Sequence, residues 1–139
     1  MAANVCALVG ASPFLLLGLL HLLQVLRDLH TPRHWVPSNP SLIAEMRASR
    51  VIATAKGPGS RDLWITWQGA NVTHSLGLLT LVALVSAPTL ADGVTRPVVL
   101  VAAVAGAAYC VAAWRFWFLP AAILAALGTT GFVVATVLA

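Results

Sequence analysis

The sequence predicts an all-α integral membrane protein, a bundle of four transmembrane helices. The chain has 139 residues, of which 60% are hydrophobic and only 9% are charged, whereas charged residues make up roughly 25% of an ordinary soluble domain. The hydrophobic residues are gathered in four continuous runs and do not alternate with polar ones. This pattern favours helices over the strands of a membrane β-barrel.

The four runs have the length that a membrane-spanning helix needs. They cover residues 5–28, 63–90, 97–118 and 120–138. The last run has 19 residues, and at ~1.5 Å per residue it approaches the ~30 Å thickness of the hydrocarbon core. We therefore expect a single transmembrane domain over residues 1–139, with residues 29–62 as the one long segment outside the membrane.

Lysine and arginine are distributed unevenly between the predicted loops. Six of the eight lie at or between the first two spans, Arg115 lies at the end of the third, and Arg96 alone falls on the opposite side. By the positive-inside rule, residues 29–62 are cytoplasmic and both termini are extracytoplasmic, which suits a plasma (inner) membrane protein. The basic charge is then a topology signal, so we expect membrane lipid and no nucleic acid as a partner. Homo-oligomers stay possible.

The segment between the first two spans is predicted to contain one short helix. Asn39-Pro40 is typical of a helix start, because Asn is a good N-cap residue and proline suits the first helical position. We expect this helix to cover residues 41–54 and to lie on the cytoplasmic surface with one apolar face. Ser60 and Asp62 are expected to cap the second span. The predicted face of the short helix consists of Leu42, Met46, Ser49 and Ala53.

The remaining connections are predicted to be short turns. Residues 88–97 form one turn, and the aromatic-rich residues 114–120 form an interfacial belt around a tight reversal. Gly106, Gly128 and Gly131 are expected to let helices approach closely. Tyr109 is the one tyrosine of the chain and lies within the third span, and it is either a hydrogen-bond donor between helices or a pocket residue.

The first two spans carry polar residues that lipid cannot satisfy. His21, Gln24 and Asp28 are three and four residues apart and share one helix face. Such faces turn inward, towards each other. The helical rise places His21 about 10 Å from one span end and His74 about 15 Å from the other, so we expect both imidazoles at similar depth in a pocket open to the cytoplasm. The second-span stripe consists of Trp64, Trp67, Asn71, His74 and Ser75.

One motif resembles a known family. The pattern Trp64-x-x-Trp67-x-Gly69-x-Asn71-x-Thr73-His74-Ser75-x-Gly77 is similar to the segment that opens the second span in an uncharacterised family of small bacterial four-span membrane proteins. The pair Leu20-His21 and Met46 are also similar to residues of that family, whereas Ala70 stands where an aromatic residue is expected. The resemblance covers residues 18–77. It implies the four-span fold and the position of the pocket, and it supplies no reaction.

Two imidazoles in a polar pocket of His, Asn and Trp residues favour acid–base chemistry on a lipophilic small molecule, such as isomerisation, cyclisation or hydration. His21 and His74 can exchange protons near neutral pH, and Asp28 can orient or recharge them. This chemistry needs neither a cofactor nor a metal, and we expect neither. The residues expected to bind substrate are Gln24, Met46, Trp64, Trp67, Asn71 and Tyr109.

Two other interpretations use the same residues. A polar network can simply join two helices in a structural or interaction subunit. Two histidines at matching depth can also ligate one haem axially, although four-helix membrane cytochromes often carry more histidines. A channel or transporter is disfavoured, because the sequence has no charged stripe along a span, no broken helix pair and no internal repeat.

Overall fold

The computed structural model describes residues 1–39, 41–49 and 62–139. This part of the chain contains no strand, and four of its helices are long and apolar enough to cross a membrane. The predicted all-α class with four spans is therefore confirmed, and the chain is a multi-pass membrane protein. The helices are α1 (Ala2–Asp28), α2 (Ser41–Ala48), α3 (Leu63–Ala91), α4 (Arg96–Phe116) and α5 (Leu119–Leu138).

Large apolar side chains lie on the outer surface of all four long helices. Val9, Leu84, Val101 and Leu127, one from each helix, expose 60% or more of their surface. Contiguous apolar surface of this kind is a liability in water. In a bilayer this surface faces lipid tails, so the exposed apolar side chains agree with the membrane protein that the composition predicts.

The turn between α3 and α4 is shorter than predicted. Helix α3 continues through Pro88 to Ala91, because a proline near a helix end removes one hydrogen bond without stopping the last turn. Gly93 then turns the chain with a φ of 89°, a value that favours glycine. The backbone N–H of Val94 donates to Asn4 Oδ1 at 3.1 Å, which fixes this turn against the start of α1.

Helix α2 begins where predicted and ends earlier. Asn39 Oδ1 accepts the backbone N–H of Ser41 at 3.1 Å, as an N-cap residue does. The expected end at residue 54 is wrong, since α2 ends at Ala48 and the carbonyl of Ser49 accepts a hydrogen bond from the N–H of Leu63 at 2.9 Å. Residue 54 itself, like Ser60, lies outside the described residues.

The partly buried face of α2 also differs from the predicted one. Ile43 and Met46 are half-buried, whereas Leu42 is 40% exposed. Of the predicted face, Met46 is partly covered, Leu42 and Ser49 are exposed, and Ala53 lies outside the described residues. At the start of α3, Asp62 Oδ1 accepts the N–H of Ile65 at 2.8 Å, so the predicted cap by Asp62 is confirmed.

Residue contacts divide the described chain into two compact units, and the boundary crosses α1 and α3. The first unit contains Met1–Leu19 and Gly77–Ala139, and the second contains Leu20–Leu76. The expectation of a single domain stays a prediction. The polar stripes of the first two spans lie in the second unit. Of the second-span motif, only Gly77 belongs to the first unit.

The core of the first unit is built from alanines, leucines, valines and two phenylalanines. The rings of Phe14 and Phe132 stack with centroids 5.6 Å apart. Helices α1 and α5 approach so closely that a Cβ at Gly131 would lie 2.6 Å from Gly10 Cα and 2.9 Å from Gly10 N. The predicted role of glycine in close packing is thus confirmed.

Gly131→Ala is expected to destabilise the protein, because the added methyl meets backbone atoms of α1 that cannot rotate away. Overpacking of this kind costs about 1–3 kcal/mol, which should lower the apparent melting temperature in detergent. Gly69→Ala is the matched control, since nothing lies within 4 Å of a Cβ at that helical position and alanine favours helix. Equal effects of the two substitutions would contradict the close approach of α1 and α5.

Candidate functional site

Two imidazoles lie in contact in the second unit. His21 is on α1 and His74 is on α3, and their ring centroids are 5.6 Å apart with planes at 42°. His21 is buried, with 5% of its surface exposed. The proximity expected from the helical depths of the two residues is therefore present.

The hydrogen bond to Asn71 fixes which nitrogen of the neutral His21 ring carries the proton. Asn71 Nδ2 donates to the carbonyl of Trp67 at 2.8 Å, so Asn71 Oδ1 is the atom that faces His21 Nε2 at 3.2 Å. A carbonyl oxygen only accepts hydrogen bonds, which makes Nε2 the donor. The neutral His21 ring consequently carries its proton on Nε2 and its lone pair on Nδ1.

Trp35 is a site residue that the sequence analysis missed. Its indole stacks on the His21 ring with centroids 4.1 Å apart and planes only 4° from parallel. Its Nε1 donates to Gln24 Oε1 at 3.0 Å, which brings one predicted binding residue into the same cluster. Trp35 lies in an irregular loop without hydrophobic periodicity, so its only signal was an aromatic residue between two prolines.

Asp28 holds this loop in place. Its side chain is fully buried, and its carboxylate accepts the backbone N–H groups of Arg33 and His34, each at 3.0 Å, as well as that of Trp35. His34 Nδ1 lies 3.1 Å from the same carboxylate. The hydrogen bonds of Asp28 among the described residues thus go to the loop whose Trp35 stacks on His21. The predicted role of Asp28 in proton transfer stays a prediction.

A cleft of about 390 Å³ lies beside the cluster. It contains Met46 and Trp67, which were predicted to bind substrate, and Trp35, which connects it to His21. The imidazoles are not among the residues that line this cleft, and the indole of Trp35 covers one face of His21. A pocket bounded by the imidazoles themselves stays a prediction. The walls of the cleft are His34, Trp35, Val36, Pro37, Met46 and Trp67.

The buried face of α3 is rotated slightly from the predicted stripe. Trp64, Gln68 and Ser75 expose 2% or less of their surface, whereas Trp67 is 47% exposed. Gln68 was missed, although its spacing from Trp64 and Ser75 is that of one helix face. Neither its Oε1 nor its Nε2 has a hydrogen-bond partner among the residues that the structure describes.

Tyr109 belongs to the first unit. Its ring centroid lies 6.2 Å from that of Phe14, and a Cβ at Gly77 would lie 2.6 Å from its hydroxyl oxygen. Gly77 therefore leaves the space that the phenol occupies. A substrate-binding role for Tyr109 stays a prediction.

Within the described ranges, no three His, Cys, Asp or Glu side chains lie close enough together to hold a metal ion. No protein-family model, curated protein or solved structure matches this chain. The resemblance to the four-span family stays a prediction, and function is inferred from the geometry of the site.

Proposed function

We propose that this protein performs acid–base chemistry on a lipophilic small molecule, which it isomerises, cyclises or hydrates. The observation that carries the proposal is the contact between His21 and His74, in which Asn71 fixes the His21 tautomer. Neighbouring titratable groups whose environments differ are the usual arrangement for an acid and a base in one site.

One imidazole can act as the general acid and the other as the general base. Two positive charges at this separation repel each other in an apolar environment, so the pair favours holding a single extra proton. One ring then serves as acid while the other serves as base. In the tautomer set by Asn71, the lone pair of His21 is on Nδ1, and this atom can accept a proton.

The surroundings suit a lipophilic substrate. Trp35, Met46 and Trp67 give the cleft aromatic and thioether walls, and its volume of about 390 Å³ lies in the range typical of small-molecule sites, about 300–1,000 Å³. Since Trp35 also stacks on His21, displacement of its indole would open a path between the cleft and the imidazole. The proposed substrate enters the cleft from the membrane or its cytoplasmic surface.

Mass spectrometry of apolar extracts tests the proposal without knowledge of the substrate. Cells that produce the wild-type protein are compared with cells that produce the double variant His21→Gln/His74→Gln. The expected result is a pair of compounds whose ratio depends on the wild type and whose masses are equal or differ by one water. Identical extracts from the two strains would overturn the proposal.

A structural role is the second candidate. The hydrogen bond from His21 to Asn71 joins α1 to α3, as expected of a polar network that holds two helices together. The bis-histidine haem alternative has less support, because His21 Nε2 is engaged by Asn71 and the ring is stacked on Trp35. An axial ligand needs one of its ring nitrogens directed at iron.

The proposed orientation has both termini extracytoplasmic and α2 on the cytoplasmic side of the plasma membrane, which rests on the arginine distribution. In a background without Cys6 and Cys110, a membrane-impermeant maleimide is expected to label Asp92→Cys in intact cells and Ser41→Cys only after lysis. Labelling of Ser41→Cys in intact cells would contradict the proposed orientation and indicate the opposite one.

A further inference from the structure

Gln68 is a buried amide whose polar atoms have no hydrogen-bond partner among the residues that the structure describes. It exposes 1% of its surface, and neither Oε1 nor Nε2 makes a hydrogen bond within the described part of the chain. Native proteins leave few buried polar groups unsatisfied, because each one loses its hydrogen bonds to water without replacement. A group of this kind indicates a partner that is not part of the protein chain.

Three other polar side chains on α3 form hydrogen bonds with backbone carbonyls of the same helix. Asn71 Nδ2, Thr73 Oγ1 and Ser75 Oγ each donate to the carbonyl four residues earlier, at 2.8, 2.9 and 3.0 Å. Gln68 makes no such bond. Its donor and its acceptor are therefore both left unsatisfied by the described residues.

The position of Gln68 connects it to the imidazoles. It lies three residues before Asn71 and six before His74 on the same helix, which corresponds to about 4.5 Å and about 9 Å along the axis. At about 3.6 residues per turn, the Gln68 side chain points about 60° away from Asn71 and about 120° away from His74 around the helix. A molecule whose polar end is bonded to Gln68 would therefore pass Asn71 and curve around α3 to bring a carbon centre beside His74.

We infer that Gln68 binds the polar end of the substrate, and that this end carries a neutral hydrogen-bond donor next to an acceptor. A primary amide, a protonated carboxylic acid or a hydroxy ketone has this arrangement and pairs with a carboxamide through two hydrogen bonds. A charged end is disfavoured, since Gln68 has no charge with which to offset its burial. The inference rests on the proposed function and specifies the class of its substrate.

Thermal unfolding in detergent with a defined probe tests this recognition. Oleamide, a long-chain primary amide, is compared with N,N-dimethyloleamide, which keeps the chain and the carbonyl and lacks the N–H donors. For the wild type, oleamide is expected to raise the apparent melting temperature by roughly 3–6 °C and the dimethyl compound by less than half of that. Equal shifts with the two compounds, or no shift with oleamide, would overturn the inference without any variant.

Two variants locate the effect at Gln68. Gln68→Met removes the unsatisfied amide and keeps the length of the side chain, so it is expected to raise the melting temperature without additive and to abolish the oleamide shift. Ser75→Ala is the control, because the Ser75 hydroxyl is buried and bonded within its own helix, and it should retain the shift. An oleamide shift that persists in Gln68→Met would also overturn the inference.

The outcome is separable from that of the proposed function. The thermal shift requires binding and no turnover, whereas the comparison of apolar extracts requires the two histidines. Loss of the oleamide shift in Gln68→Met, combined with extracts that do not depend on His21 and His74, would retain the binding site and reject the chemistry. The reverse combination would retain the chemistry and reject Gln68.

Discussion

His74→Gln is expected to lower conversion of the apolar substrate by about 10²–10⁴-fold and to leave the protein folded. The rate loss is the usual contribution of a general acid or base, since an amide cannot take up and release a proton. The structural cost should be about 1 kcal/mol, because glutamine can still form a hydrogen bond and such bonds are individually modest in membranes. The measurement is the product ratio in apolar extracts, together with the melting temperature in detergent.

Two further variants accompany this experiment. His21→Gln should lose activity to a similar extent, while Tyr109→Phe should have a milder effect because the phenol packs against Phe14 and Gly77. If His74→Gln unfolds the protein, the imidazole belongs to a structural network. If the variant is folded and fully active, His74 is neither an acid nor a base, and the proposed function fails.

Asp28→Asn is expected to release the loop that carries Trp35. The carboxylate accepts N–H groups from three successive residues, 33–35, and an asparagine amide would turn an NH₂ group towards some of these donors. Loss of hydrogen bonds to a buried charge costs about 2–4 kcal/mol in this setting. Amide exchange of residues 33–35 should accelerate by about 30- to 1,000-fold, since local opening follows the same free energy.

Asp62→Asn is the matched control for this substitution. Asp62 caps α3 through Ile65, and asparagine is as good an N-cap residue as aspartate. Exchange at residues 33–35 should therefore stay unchanged in this variant. Unchanged exchange at those residues in Asp28→Asn would show that the carboxylate does not hold the loop.

The sequence predicted the membrane spans well because their signal is local. Each predicted span begins and ends within about three residues of a helix in the structure, since continuous apolar runs need only length and composition to be recognised. Helix α2 was harder, because its end depends on a contact between Ser49 and Leu63. These residues are not neighbours in the chain, and no local sequence pattern predicts their contact.

The site was predicted in part for the same reason. His21, Asn71 and His74 were found from helical spacing and relative depth, which geometry dictates. Trp35 was missed, since its position on His21 depends on the loop anchored by Asp28. Gln68 was missed because the stripe was centred on the two indoles, whereas the buried face passes through Gln68 and leaves Trp67 at its edge.

Deuterium incorporation from water tests most directly whether these imidazoles exchange protons with carbon. Membranes that contain the wild-type protein are incubated in deuterated water, and their apolar extracts are washed with ordinary water before mass spectrometry, which removes deuterium from nitrogen and oxygen and retains it on carbon. Imidazole N–H groups exchange with water between turnovers, so the proposed chemistry predicts an apolar product that gains carbon-bound deuterium with the wild type and not with His74→Gln. Equal labelling in the two samples, or no labelling in either, would contradict it.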